Sequence, residues 1–294
     1  MTDWLAARFG STEPGFRGAE WRRLGRFLAF GAGIFVLAII GAGFVPFSWP
    51  DAIRRSAHPM IFVPVALALT VRMLRKDESE IPPVHVFNPW PVGRISLQWL
   101  FLGGGLAGIV ALVFVLAFGL RWAPNPQSTG ANIALMLWAI VLTAAAEEIA
   151  FRGYALWRLT RLIGFWRAQA IVATLFAVSH ATLGGYSLVP ALVGTVIGSV
   201  LYGVAFARTR GIAAPIALHS GWNIAQHFLL TPLSPSATPL VPTFPHVPTG
   251  QESLAMLAIV GIVMTAAALG IVMAGSIGVS SDSVMPDAPS QQRR

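Results

Sequence analysis

Two adjacent carboxylates close an apolar run that ends Ala144-Ala145-Ala146-Glu147-Glu148-Ile149-Ala150-Phe151-Arg152. Further along stand Phe176 with His180 four residues on, and then His219 with Asn223 four residues on. A glutamate is a general base for a water molecule, and a neutral imidazole can hold that water. Imidazole and carboxamide groups both supply side-chain donors for a developing oxyanion. The chemistry these types suggest is hydrolysis by an activated water, with Glu147 as the base and His180 as its partner.

Each of these residues also has a bland reading. Glu148 and Arg152 stand four apart on one helical face and can neutralise each other, whereas Glu147 points elsewhere and has no local partner. A lone histidine in an apolar helix is usually a hydrogen-bonded packing residue, and Phe176 alone would read as packing too. His227, toward the far end of its segment, is read as packing, and His58, His85 and His246 are read as loop residues. An ionisable group inside a membrane helix costs about 2.5–3.5 kcal/mol on insertion scales, so Glu147 together with two histidines reads as one shared site.

Those side chains need elements to carry them. The chain has 294 residues, of which 55% are hydrophobic and 11% charged, a composition that gives a soluble domain no polar surface and makes the bilayer the solvent. Lipid admits helices and closed barrels only. Apolar runs near 27–46, 59–74, 97–120, 131–151, 168–184, 187–207, 212–230 and 253–275 predict an all-α, polytopic bundle of about eight transmembrane helices. Seventeen of the 20 Lys and Arg fall on one side of that arrangement, Arg152, Arg158 and Arg161 among them, against Arg54, Arg55 and Arg121 on the other. Both termini are therefore expected in the cytoplasm.

The whole chain reads as one membrane domain, with residues 1–26 as a cytoplasmic segment, 131–230 as a core bearing the polar residues and 276–294 as a mobile tail. The polar start precedes any apolar run, so the first span is expected to serve as its own insertion signal. The net charge of +8 flanks helices and implies no nucleic-acid partner. Cysteine is absent, which removes disulfides and thiol nucleophiles. No repeat of the kind that builds transporters is present. Gly104 with Gly108 and Gly194 with Gly198 offer faces for close helix approach, and the proline-rich 231–249 stretch reads as an extended outer loop. Counted from Arg158, Arg167 and Arg210, the groups Glu147, His180 and His219 lie at depths of roughly 16, 20 and 14 Å, near one level of the bilayer. Three segments thus bring polar groups to a shared depth.

In order along the chain, Glu147-Glu148-x-x-x-Arg152, Phe176-x-x-x-His180 and His219-x-x-x-Asn223 resemble the three signature motifs of the CPBP family. This family holds the CAAX prenyl endopeptidases of the Rce1 type and bacteriocin-processing relatives, also called Abi, and is filed among intramembrane metalloproteases. The resemblance covers roughly residues 131–230. It implies an intramembrane endopeptidase acting on a peptide or protein substrate, with Glu147, His180, His219 and Asn223 catalytic. His219 and Asn223 would then face the scissile carbonyl as oxyanion stabilisers. Glu148, Arg152 and Phe176 would be supporting or substrate-binding, and Arg152 is also placed to meet a substrate carboxylate. Glu147, His180 and His219 are acceptable ligands for a divalent metal such as zinc, although the chain lacks His-Glu-x-x-His, and a metal-free site stays open. The competing reading is a non-catalytic scaffold, or a small-solute or proton carrier, built on the same polar cluster. Nineteen Arg to one Lys fits a GC-rich genome and hence a bacterial plasma membrane.

Overall fold

In the computed structural model the structure is described for residues 17–44, 46, 51–77, 92–183, 191–209, 211–233 and 235–277. Helices dominate: α1 (Arg17–Gly43), α2 (Asp51–Asp77), α3 (Val92–Phe118), α4 (Gly130–Arg152), α5 (Tyr154–Ile163), α6 (Phe165–Leu183), α7 (Val196–Thr209), α8 (Ala213–Leu229) and α9 (Gly250–Ile277). A π-helical turn, Ala191–Thr195, leads into α7. Each expected apolar run has a helix at its place, while His85 and most of the expected tail lie outside the described residues. His58, expected in a loop, falls within α2.

The sides of α3 and α9 that face outward are apolar. Phe101, Leu112 and Leu116 on α3, with Leu254, Ile262, Leu269 and Met273 on α9, are all well exposed. A continuous belt of this kind is tolerable in lipid and not in water. Among the described residues, Ser96–Phe118, Gly130–Ile163 and Gly250–Ala274 are long and apolar enough to cross a membrane, and Met60–Arg72 and Val193–Thr209 are shorter apolar helices. The chain is a mostly helical integral membrane protein.

Two features depart from the sequence reading. Residues 154–163, taken for a charged cytoplasmic loop, form helix α5. Its Arg158 is fully buried, as is Arg152 before it, so neither is a solvated loop cation. Gly153 makes the break possible: a side chain there would meet the Ile149 carbonyl oxygen at 2.4 Å, and its N–H closes the preceding turn on the Glu148 carbonyl at 3.2 Å. The proline-rich stretch is also more ordered than an extended loop. It contains a short 3-10 turn, Pro235–Ala237, and strand β2 (Leu240–Thr243), which pairs antiparallel with β1 (Arg121–Pro124) after α3.

Packing of α8 fixes the height and rotation of the site. It lies most extensively against α3 and also touches α4 and α7. At the α3–α8 crossing the backbones meet: a Cβ at Gly103 would stand 2.1 Å from the Leu218 carbonyl oxygen, and one at Gly221 would stand 2.0 Å from that of Leu100. Only glycine allows such an approach in a bundle held by van der Waals contact. Of the expected Gly104–Gly108 pair, Gly104 lies at this crossing, where a Cβ would stand 3.7 Å from the Gly221 carbonyl oxygen, while Gly108 faces open space. Gly194 and Gly198 do face a neighbour, Leu257 and Met264 of α9.

Candidate active site

Helix α4 starts at Thr129, whose hydroxyl accepts the Asn132 N–H at 3.2 Å, a side-chain cap on an otherwise orphaned donor. From there it runs unbroken to the two carboxylates. Consecutive positions on a helix face different ways, and here they face different environments: Glu148 is fully buried whereas the side chain of Glu147 retains 24% exposure.

Glu147 looks into a gap between α6 and α8. Its Oε1 lies 3.9 Å from Nε2 of His180, and its Oε2 lies 3.7 Å from Nε2 of His219. Both separations exceed a hydrogen bond. The opposite ring nitrogens are committed. His180 Nδ1 donates to the Phe176 carbonyl at 2.9 Å, and His219 Nδ1 donates to Glu148 Oε1 at 2.9 Å. A carbonyl and a carboxylate are acceptors, so each neutral imidazole carries its proton on Nδ1 and turns an Nε2 lone pair toward Glu147.

Asn223 lies four positions after His219 on α8, on the same face, and is half-buried. Phe176 forms a wall between the groups. Its ring centroid is 4.4 Å from that of His180 and 6.2 Å from that of His219, with Phe151 edge-on at 5.1 Å.

Beneath His219 lies a buried polar layer. Arg152 Nη1 donates to Glu148 Oε1 at 3.1 Å, and its Nη2 donates to the Ser199 hydroxyl at 2.6 Å and the Ser199 carbonyl at 3.1 Å. Gln169 Nε2 donates to the same carbonyl at 3.1 Å. The Arg152 guanidinium also stands 4.7 Å over the Phe176 ring, a cation–π contact. Arg152 is fully buried and engaged by α4, α6 and α7, so the substrate-carboxylate role considered for it does not fit its place; it supports Glu148. Tyr202, a buried residue of α7, stacks on the His219 ring with centroids 4.3 Å apart and planes 17° apart.

Sequence reasoning did not find Gln169, Ser199 or Tyr202. They are uncharged polar residues, and a search for groups that a membrane penalises passes over them. The signal was present in weaker form, as Ser199 and Tyr202 are three apart on one face of an apolar helix. His227, read as packing, is fully buried. It accepts the Leu233 N–H on Nδ1 at 2.9 Å and donates from Nε2 to the Ala237 carbonyl at 3.1 Å, tying α8 to the loop after it. His246, outside the helices, contacts Glu252, which caps α9 with Thr249.

For a metal, the two imidazoles address different oxygens of Glu147, at 3.9 and 3.7 Å. Among the described residues no group of three His, Cys, Asp or Glu side chains is disposed to hold an ion.

Residues 129–225 match the family described as Type II CAAX prenyl endopeptidase, Rce1-like. The matched stretch runs from the cap of α4 to two residues past Asn223 and so takes in all three motifs. No curated protein matches the chain.

Proposed function

We propose that the chain, whose residues 129–225 match the Rce1-like family, is an intramembrane endopeptidase that cleaves a peptide bond with a water activated by Glu147. The observation that supports this most is the pair of imidazole Nε2 atoms turned toward one half-buried carboxylate, at 3.9 and 3.7 Å. A scaffold would not need an exposed base flanked by two oriented acceptors.

In this reading Glu147 takes a proton from the water while His180 Nε2 accepts the other hydrogen and aims the oxygen at the scissile carbonyl. The proton passes from Glu147 to the nearby Nε2 of His219. Glu148, bonded to the far side of that ring, stabilises the resulting imidazolium, much as a buried carboxylate orients a catalytic histidine. Protonated His219 and the carboxamide of Asn223 then donate to the oxyanion. His219 finally returns its proton to the leaving amine, so the water supplies both the new carboxylate oxygen and the proton on the product amine. No step is routed through a metal.

The substrate is a peptide or protein at the membrane, and the orientation keeps both termini inside, in a bacterial plasma membrane. The test is a peptide-library cleavage assay on the detergent-purified protein, with and without a chelator. Cleavage that survives the chelator and disappears in Glu147→Gln supports the reading. A wild-type protein that cuts no peptide, in detergent or in lipid, overturns it. For orientation, reporter fusions at Pro239 should report the outer side, and a cytoplasmic signal there would reverse the topology.

A further inference from the structure

Helix α7 carries none of the three motifs, yet it touches His219 by two independent routes. One is direct: the Tyr202 ring lies flat on the imidazole, centroids 4.3 Å apart. The other runs through the polar layer, from the Ser199 hydroxyl to Arg152 at 2.6 Å, from Arg152 to Glu148 at 3.1 Å, and from Glu148 to His219 at 2.9 Å. Every member of that chain is buried, and Gln169 braces it from α6 through the Ser199 carbonyl. Gln169 reaches this place because position 203 has no side chain; a Cβ on Gly203 would overlap its carboxamide. Ser199 and Gly203 are one turn apart, so one face of α7 both admits Gln169 and holds Arg152.

The donors and acceptors leave little freedom in how this layer is wired. A guanidinium only donates, so the Ser199 oxygens are acceptors toward Arg152. Glu148 Oε1 accepts from Arg152 and His219 together, which fixes the carboxylate between them. If Arg152 swings away, that oxygen loses one of its two donors and the carboxylate can rotate. His219 then loses the partner that keeps its proton on Nδ1. The stacked Tyr202 ring blocks rotation of the imidazole out of its plane.

We propose that Ser199 and Tyr202 are positioning residues of this site, Ser199 by holding Arg152 against Glu148 and Tyr202 by stacking, so that His219 keeps one orientation and one tautomer. The proposal rests on the peptidase reading for its kinetic consequence but not for its structural one. Removing an outer partner of a functional side chain typically costs about 10–100-fold, and Ser199→Ala and Tyr202→Leu are expected in the lower part of that range.

The experiment pairs kinetics with nitrogen-15 NMR of histidine-labelled full-length protein in detergent, His219 being assigned by loss of its signal in His219→Gln. Wild type should show the Nδ1–H tautomer for His219. In Ser199→Ala and Tyr202→Leu that signal should shift toward a tautomer mixture, while kcat falls about tenfold and KM stays near wild type. Tyr202→Phe keeps the ring and should match wild type in both measurements. If Tyr202→Leu does not fold, Ser199→Ala alone decides whether α7 positions His219. A single unaltered Nδ1–H signal in every folded variant overturns the proposal. Should wild type cleave nothing, the peptidase reading fails alone, and the spectra still decide whether α7 positions His219.

Discussion

Nδ1 of His219 lies 2.9 Å from Oε1 of Glu148, while its Nε2 lies 3.7 Å from Oε2 of Glu147. One imidazole thus stands between two sequence-adjacent carboxylates of different character. Glu148 is buried and shares its oxygen with Arg152, so it serves as orienting partner and counter-ion. Glu147 keeps 24% of its side chain exposed and faces the Nε2 atoms of both histidines. In the proposed mechanism the adjacent pair divides into a support and a base, because a helix sends neighbouring residues in different directions.

The two carboxylates should therefore fail differently when neutralised. Glu147→Gln keeps its volume and removes the proton acceptor, so turnover should fall by about two to four orders of magnitude with folding intact. Glu148→Gln leaves Arg152 as a buried cation without its charge partner, a change that costs about 3–5 kcal/mol. It also disturbs His219, so stability and kcat should fall together. Cleavage rates and thermal melting of both variants in one detergent give the comparison. Near-wild-type turnover in Glu147→Gln would show that the base has been misassigned.

Most of the site was legible because the membrane makes ionisable residues conspicuous. Glu147, His180 and His219 stood out against apolar runs, and the structure brings all three together. The depth estimate that linked them took Arg158 as the ruler for Glu147, and Arg158 belongs to helix α5, where it is fully buried, rather than to a loop. Helix α5 was hidden because its arginines mimic a loop. Nothing local in the sequence says that Trp157 and Tyr154 will cover Arg158, whose guanidinium lies 5.5 and 6.0 Å from their ring centroids. The ribbon of β1 and β2 was hidden for another reason: it pairs Arg121 with Thr243, 122 positions on, and Pro124 with Leu240, 116 positions on, a long-range match that no local pattern encodes.

The crossing of α3 with α8 supplies a prediction about construction. Gly221→Ala would drive a methyl group into the Leu100 carbonyl, at 2.0 Å before any shift, and overpacking of this kind costs about 1–3 kcal/mol or more. Because Gly221 is two residues from both His219 and Asn223, activity should drop with stability. Gly105→Ala, which meets nothing within 4 Å, should leave activity unchanged and raise stability slightly, as a helical glycine is worse than alanine by about 0.5–1 kcal/mol. Equal melting temperatures for the two variants would refute the close crossing.

A histidine without chemistry is as informative as one with it. His227 spends both ring nitrogens on backbone groups of the following loop. His227→Ala should lower stability by about 1–3 kcal/mol, the cost of leaving buried partners unmet, while kcat of the folded fraction stays at the wild-type level. A kcat loss as deep as that of His219→Ala, at unchanged stability, would place His227 in the reaction instead.

The last prediction concerns the oxyanion. Both motif imidazoles have their Nδ1 protons committed, His180 to the Phe176 carbonyl and His219 to Glu148, so in neutral form they offer Glu147 and the substrate only acceptors. Arg152 is a donor but is buried against Glu148 and Ser199. Asn223 is then the motif side chain on this face able to donate before any proton has moved. Asn223→Ala should lower kcat by about 10²–10³, the usual cost of one oxyanion donor, with little change in KM. Asn223→Asp removes the donors and adds an anion on the helix face that carries His219, so it should be at least as poor as alanine, and Asn223→Gln should recover part of the loss only if its longer arm still reaches. Steady-state kinetics of the three variants on one cleaved peptide decide the matter. A decrease confined to KM, or an aspartate variant as active as wild type, would remove Asn223 from the oxyanion role and leave that role to protonated His219 alone.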